Sequence, residues 1–280
     1  MVASIFSANM RLRVGALWTP ADLATGPTHW FDADDAATLT LNGSRVSAWA
    51  NKGRSGGAVS QSNNDNRPTL DPAGFNSKPV VRNANTTWFT TNFAVGAAFR
   101  LYAVLNVSAA QTSQSILGGA NTIVPLAQSG SSATDVSRVN NANVVAPQNV
   151  FINSASVTVA NRGQMHSQLT GSGKIFSIRN VAAFSGFTLF LPPVGSFVPA
   201  GDFAEIILLP ESTVSQDIED RIHGYLAWKW GLQSLLPALH PYKNAAPTNS
   251  APPAPSNLVT YFGSTVTYNG DQITYESMAA

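Results

Sequence analysis

Phe99, Leu101, Ala103, Leu105 and Val107 fall at a strict period of two, and this spacing constrains the chain more than any other feature. A helix would scatter the five side chains around its circumference, whereas an extended strand gathers them on one face. Similar runs occupy Asn149–Val159, Met165–Leu169, Lys174–Arg179, Thr188–Leu191 and Phe203–Leu209, and each is read as a strand. Upstream, a turn-rich stretch from Trp18 to about Pro72 contains short strands at Leu39–Leu41, Arg45–Trp49 and Ala58–Gln61. Asn42-Gly43 separates the first two and reads as a tight hairpin turn, with both positions expected at positive φ. Many short strands punctuated by Gly, Pro, Asn and Ser point to an all-β sandwich or jelly roll.

One stretch is read as a helix. Ser215 is placed to cap it, Ile218, Ile222, Tyr225 and Leu226 follow at i, i+4, i+7 and i+8, and Asp217 and Glu219 complement its positive end. Gly231 is expected to end it. The carboxylates of this helix, including Asp220, are explained by dipole compensation and solvation.

A chain of 280 residues fits one large all-β domain. After His240-Pro241-Tyr242 the sequence changes to Ala-Ala-Pro-Thr-Asn-Ser-Ala-Pro-Pro-Ala-Pro-Ser, whose prolines favour an extended linker. The expected organisation is an arm over 1–17, a sandwich over 18–243, a Pro-rich linker over 244–256 and a tail over 257–280. The tail carries a small repeat: Val259, Val266 and Ile273 are seven apart, with Tyr261, Tyr268 and Tyr275 in step. An odd period requires a turn in each unit, so the tail should consist of short strands joined by tight turns, one at Asn269-Gly270. Such strands are too small to stand alone in water. The six residues are therefore expected to attach the tail to another copy of itself, to the domain or to a partner's sheet edge.

Composition narrows the partners. A formal net charge of +1 with no basic cluster gives no footprint for a phosphate backbone, so nucleic acid is not expected. Charged residues are 11% of the chain, against about 25% in ordinary soluble proteins, which predicts a neutral, polar surface. Zero cysteines excludes disulfides and thiolate sites. No basic start precedes an apolar run and no run approaches a membrane-spanning length, so neither a signal peptide nor a membrane span is read.

Two segments carry a family resemblance. The first runs from His29-Trp30-Phe31-Asp32 through Asn42-Gly43 to Gly53-Arg54-Ser55-Gly56-Gly57, followed by Arg67-Pro68-Thr69-Leu70 and Lys78-Pro79-Val80-Val81. The second runs from Phe203-Ala204-Glu205 to His240-Pro241-Tyr242-Lys243. Together they resemble the LamG-like, concanavalin A-like domain of bacteriophage virion proteins. The resemblance implies a two-sheet jelly-roll sandwich with one late helix, in a tail-fibre, tail-associated or head-decoration protein; it implies no activity. Where relatives often have an Arg-Phe-Asp-Gly-like turn, this chain has Arg82-Asn83-Ala84-Asn85, without the carboxylate.

Individual residues add little chemistry. Glycan-cleaving sandwiches need two facing carboxylates, and no Glu-x-Asp-x-x-Glu strand is present. Asp32, Asp34 and Asp35 are oxygen donors of the kind calcium takes, but turn and cap chemistry accounts for them better, so no metal or other cofactor is expected. Gly53-Arg54-Ser55-Gly56-Gly57 matches G-x-S-x-G but sits in a polar loop rather than between a strand and a helix. His29, His166, His223 and His240 lack metal-ligand spacing, and no zinc site can be assembled from them. Trp30, Trp49, Trp228 and Trp230 are expected in the core, which leaves Trp88 as the candidate glycan-stacking residue.

These observations and the resemblance together suggest a non-enzymatic, lectin-like protein on the virion surface, made in the host cytoplasm. Its expected partners are other virion proteins and copies of itself in a trimer or larger symmetric assembly. The alternative is a host glycan- or receptor-binding module, and a polysaccharide depolymerase is the third reading.

Overall fold

The computed structural model describes residues 17–84, 86–90, 93–109, 149–181, 183–190 and 200–249, with further short strands between and beyond them. Eleven strands form one large antiparallel sheet. In chain order they are β1 (His29–Asp32), β2 (Leu39–Asn42), β3 (Arg45–Ala50), β4 (Ala58–Ser60), β5 (Thr69–Phe75) and β6 (Lys78–Asn83), then β7 (Phe99–Val107), β8 (Val150–Ile152), β9 (Ala155–Ser156), β10 (Lys174–Val181) and β11 (Gly201–Pro210). Their order in space is β9-β8-β10-β7-β11-β6-β5-β3-β2, with β1 also on β11 and β4 also on β3. A smaller sheet joins strands Phe93–Val95, Leu117–Gly118 and Phe184–Leu189. The described residues are therefore mostly β, with two α-helices, α1 (Arg162–Leu169) and α2 (Gln216–Lys229).

The central strands are buried on both faces. On β7, Phe99, Leu101, Ala103, Leu105 and Val107 join one core with Phe31, Trp49 and Phe203, and with Val95 and Leu189 of the smaller sheet. Tyr102 and Val104 point the other way, into a second core with Trp30, Ile207 and the α2 residues Ile222 and Leu226. Burial on both faces explains why Phe203–Leu209 reads as a nearly continuous apolar run rather than a clean alternation.

Ser215 caps α2 as expected, its Oγ accepting from the Ile218 N–H at 3.3 Å, and Gly231 at φ +68° ends it. The helix is rotated relative to the sequence reading. Its buried stripe is Glu219, Ile222, His223, Leu226 and Ala227, continuing to Trp230, while Ile218 and Tyr225 are only half-buried. Two polar side chains thus occupy the face that packs on the sheet.

Four local expectations are corrected. Met165–Leu169 is the end of α1, because Met165 and Leu169 are four apart and both buried, and Asn161 Oδ1 caps the helix by accepting from the Gln164 N–H at 2.9 Å. Asn149–Val159 is a hairpin, turning at Asn153 and Ser154 with φ of 53° and 69°. The first hairpin turns at Gly43-Ser44, with Asn42 paired to Arg45 and Gly43 at φ +59°. The domain also extends past 243: Pro247 is buried, its carbonyl accepts from the Trp18 N–H at 3.0 Å, and Thr248 bridges to Leu17. The first six residues of the predicted linker therefore belong to the domain.

Beyond it, Thr260–Phe262, Thr265–Tyr268 and Asp271–Ile273 form their own three-stranded antiparallel sheet. The register sets Tyr261 opposite Val266 and Val266 opposite Ile273, with Thr260, Thr267 and Gln272 in the adjacent row. Among the described residues these strands pair with one another and not with the large sheet.

Candidate functional site

The register of β11 against β7 shifts between Phe203 and Glu205: Phe203 lies opposite Leu105 and Glu205 opposite Val104, which leaves Ala204 as an extra residue. A bulge of this kind re-aims a side chain. Here it turns the fully buried Glu205 toward α2, into the core between the sheet and that helix.

Four donors meet the carboxylate. Oε1 accepts from Trp30 Nε1 at 2.6 Å and from the Tyr225 hydroxyl at 2.9 Å; Oε2 accepts from Trp230 Nε1 at 2.7 Å and pairs with Lys229 Nζ at 2.9 Å. Burial pushes the Glu205 carboxyl upward, and Lys229 and the Trp230 indole oppose it. Indole N–H groups only donate, so both oxygens must act as acceptors and the ionised form fits the site. With its lone-pair positions filled, Glu205 ties β1, β11 and the C-terminal end of α2 together.

The three aspartates singled out from sequence extend this network toward solvent. Lys229 reaches Asp32 Oδ1 at 2.5 Å, and Lys52 bridges Asp32 at 2.9 Å and Asp35 at 2.8 Å while lying 4.3 Å from the centre of the Trp30 ring. Asp34 pairs with Lys78 at 2.7 Å. The hydrogen bond from Lys52 holds the Asp35 carboxyl below its ordinary range, and Asp35 also accepts from the Ala37 N–H at 3.2 Å. The cap reading of Asp35 is thus present, but lysine ammonium groups, unforeseen from sequence, are the main partners of all three. Each carboxylate faces a cation that calcium would have to displace.

Glu219 is likewise not a solvated helix charge. Its side chain is 1% exposed and binds Arg100 at 2.7 Å and Arg179 at 2.6 Å; Arg100 also binds Glu211 at 2.7 Å. This second ion network clamps the first turns of α2 to β7 and β10.

Trp88 is partly buried and packs against the core beneath the smaller sheet, so it is not a free stacking platform. Trp228, expected inside, is the exposed tryptophan at 36%, with its indole N–H donating to the Tyr242 carbonyl at 2.8 Å. An open cleft of about 350 Å³ is lined by Arg82, Asn83, Asn106, Ser108 and Asp202 among others. Arg82 grips Asp202 through Nε at 2.6 Å and Asp71 at 2.8 Å, and Asn106 Oδ1 is buried with no hydrogen-bond partner among the described residues. Sequence reasoning passed over this cleft because its residues come from three strands. Of the proposed tail residues, Tyr261, Val266, Tyr268 and Ile273 lie on the small C-terminal sheet; Val259 and Tyr275 lie outside the described residues.

The histidines are less scattered than the sequence suggested. His223 and His240 come together with Asp220, each offering a ligand-type atom within 4.8 Å of the others, although 17 residues separate the two histidines. Only Asp220 and His223, three apart on α2, had a readable spacing. No family model, curated protein or solved structure matches the chain.

Proposed function

We propose that the chain is a non-enzymatic, LamG-like sandwich of the concanavalin A type on the surface of a bacteriophage particle, attached or oligomerised through its C-terminal strands. The observation that carries this reading is the separate three-stranded sheet formed by Thr260–Phe262, Thr265–Tyr268 and Asp271–Ile273, which among the described residues pairs with no strand of the domain. A sheet of three short strands has two open edges and little apolar area, so it gains most by adding strands from other chains. The buried carboxylates Asp32, Glu205 and Glu219, each held by lysine or arginine, support a structural rather than catalytic role for the family-like segments.

Deletion of everything after Asn249 tests the proposal. The truncated domain should keep the melting temperature of the full chain but fail to enter particles or to form its oligomer. Full incorporation of the truncated protein would overturn the attachment role.

A glycan-binding reading is favoured by the cleft at Arg82, Asn106 and Asp202, whose guanidinium, amide and carboxylate groups suit hydroxyl-rich ligands and whose volume lies at the lower end of ligand pockets. Retention on immobilised bacterial polysaccharide, lost in Asn106→Ala, would select it.

A further inference from the structure

We propose that Asp220, His223 and His240 form a binding site for a first-row divalent cation, zinc above all, which ties α2 to the segment that leads out of the domain. The three ligand-type atoms already lie within 4.8 Å of one another, and Asp220 Oδ1 is 4.0 Å from His240 Nε2. Around a tetrahedral ion with bonds of about 2.1 Å, ligand atoms stand roughly 3.4 Å apart. Closing the site is therefore a movement of about 1 Å, within the reach of side-chain torsions.

The second, independent observation is that two nitrogens in this cluster lack partners. Among the described residues, His223 Nδ1 and His240 Nε2 are both buried without a hydrogen bond, in residues that are 2% and 8% exposed. Buried polar atoms in a well-packed domain are nearly always paired, so two orphan nitrogens on residues of one cluster call for a ligand. The other ring nitrogen of His223 is 3.0 Å from Ser177 Oγ on β10; with the ring proton on that nitrogen, the hydroxyl orients the ring and leaves the Nδ1 lone pair free. His240 differs. Its Nδ1 accepts from the Tyr242 N–H at 3.2 Å, so coordination through Nε2 moves the ring proton to Nδ1 and gives up that long bond.

The donor set selects the ion. Two imidazoles and one carboxylate suit zinc and its first-row neighbours, whereas calcium and magnesium require more oxygens. The fourth position falls to water, reached from the Asp220 side chain, which is 20% exposed.

The test uses tag-free full-length protein stripped with chelator and titrated with zinc chloride, followed by calorimetry and thermal melting, with calcium and magnesium chloride as comparisons. One zinc per chain should bind and raise the melting temperature by several degrees, cobalt should give the visible absorption of a tetrahedral site, and calcium and magnesium should do neither. Asp220→Asn, at a partly exposed position, should weaken zinc binding by at least about tenfold, and His240→Gln should abolish the cobalt spectrum. No melting shift with zinc, or binding by Asp220→Asn as tight as by the unaltered chain, overturns the site. Should His240→Gln fail to fold, Asp220→Asn decides alone.

Discussion

The indole N–H of Trp30 and the carboxylate of Glu205 meet at 2.6 Å although 175 residues separate them in the chain. Trp30 sits on β1 and Glu205 on the bulged β11, and Trp230 adds the same kind of bond from just beyond α2.

Glu205→Gln tests this node. An amide oxygen can serve two of the four donors, and its NH2 group faces the others, so buried donors and Lys229 are stranded. The expected loss is about 3–5 kcal/mol of unfolding free energy, read from the urea midpoint. A loss under about 1 kcal/mol would mean that the carboxylate is not ionised in the fold.

The aspartates near the surface should differ by burial. Asp32, whose side chain is 5% exposed and paired with two lysines, should lose about 3 kcal/mol on conversion to Asn. Asp35, 34% exposed, should lose no more than about 1 kcal/mol. Because lysines hold all three carboxylates, millimolar calcium should leave the melting temperature unchanged; a rise of several degrees would show that calcium displaces them.

Burial holds His29 at about 4, below the ordinary 6.5, and it is 1% exposed. A histidine depressed in the fold contributes stability in full above pH 6.5, and loses it as pH falls through the folded value. Unfolding free energy should therefore decline between about pH 6.5 and 4, by an amount of order 3 kcal/mol from this group. His29→Gln should flatten that part of the pH profile in chemical denaturation; an unchanged slope would remove His29 as its source.

At Gly224 a Cβ would lie 2.6 Å from Tyr242 Cβ, so α2 and the turn after His240 touch backbone to side chain. Gly224→Ala, although better for an isolated helix, should destabilise the domain by about 1–3 kcal/mol and expose Tyr242 to proteases or fluorescence quenchers. A stabilised variant would show that the turn yields freely.

Cutting after Lys243 should differ from cutting after Asn249. The shorter form loses the Pro247–Trp18 hydrogen bond, the Leu17–Thr248 bridge and the contact of Arg221 with the Thr248 carbonyl. It should melt several degrees lower than the longer form, and equal melting temperatures would return the domain boundary to 243.

Local geometry was the part of the fold that the sequence displayed. The period of two in Phe99–Val107, the Ser215 cap and the Gly231 stop all appear where expected, because each depends on neighbours within a turn or a strand. Met165–Leu169 misled because two apolar residues four apart share a face in a strand as well as in a helix, and only the Asn161 cap decides. The lysine partners of Asp32, Asp34 and Asp35, the cation pairs of Glu219 and the approach of His240 to His223 were illegible for a different reason: tertiary packing brings each of them together across 17 to 197 residues, and spacing carries no trace of it.

The bridge between Leu17 and Thr248 carries a mechanical consequence. The first and last described stretches of the domain are thus adjacent, and Leu17 and Thr248 close it like a clasp. Tension applied between residues 17 and 248 would load that clasp first, together with the Trp18–Pro247 hydrogen bond beside it, before the layers of strands behind it.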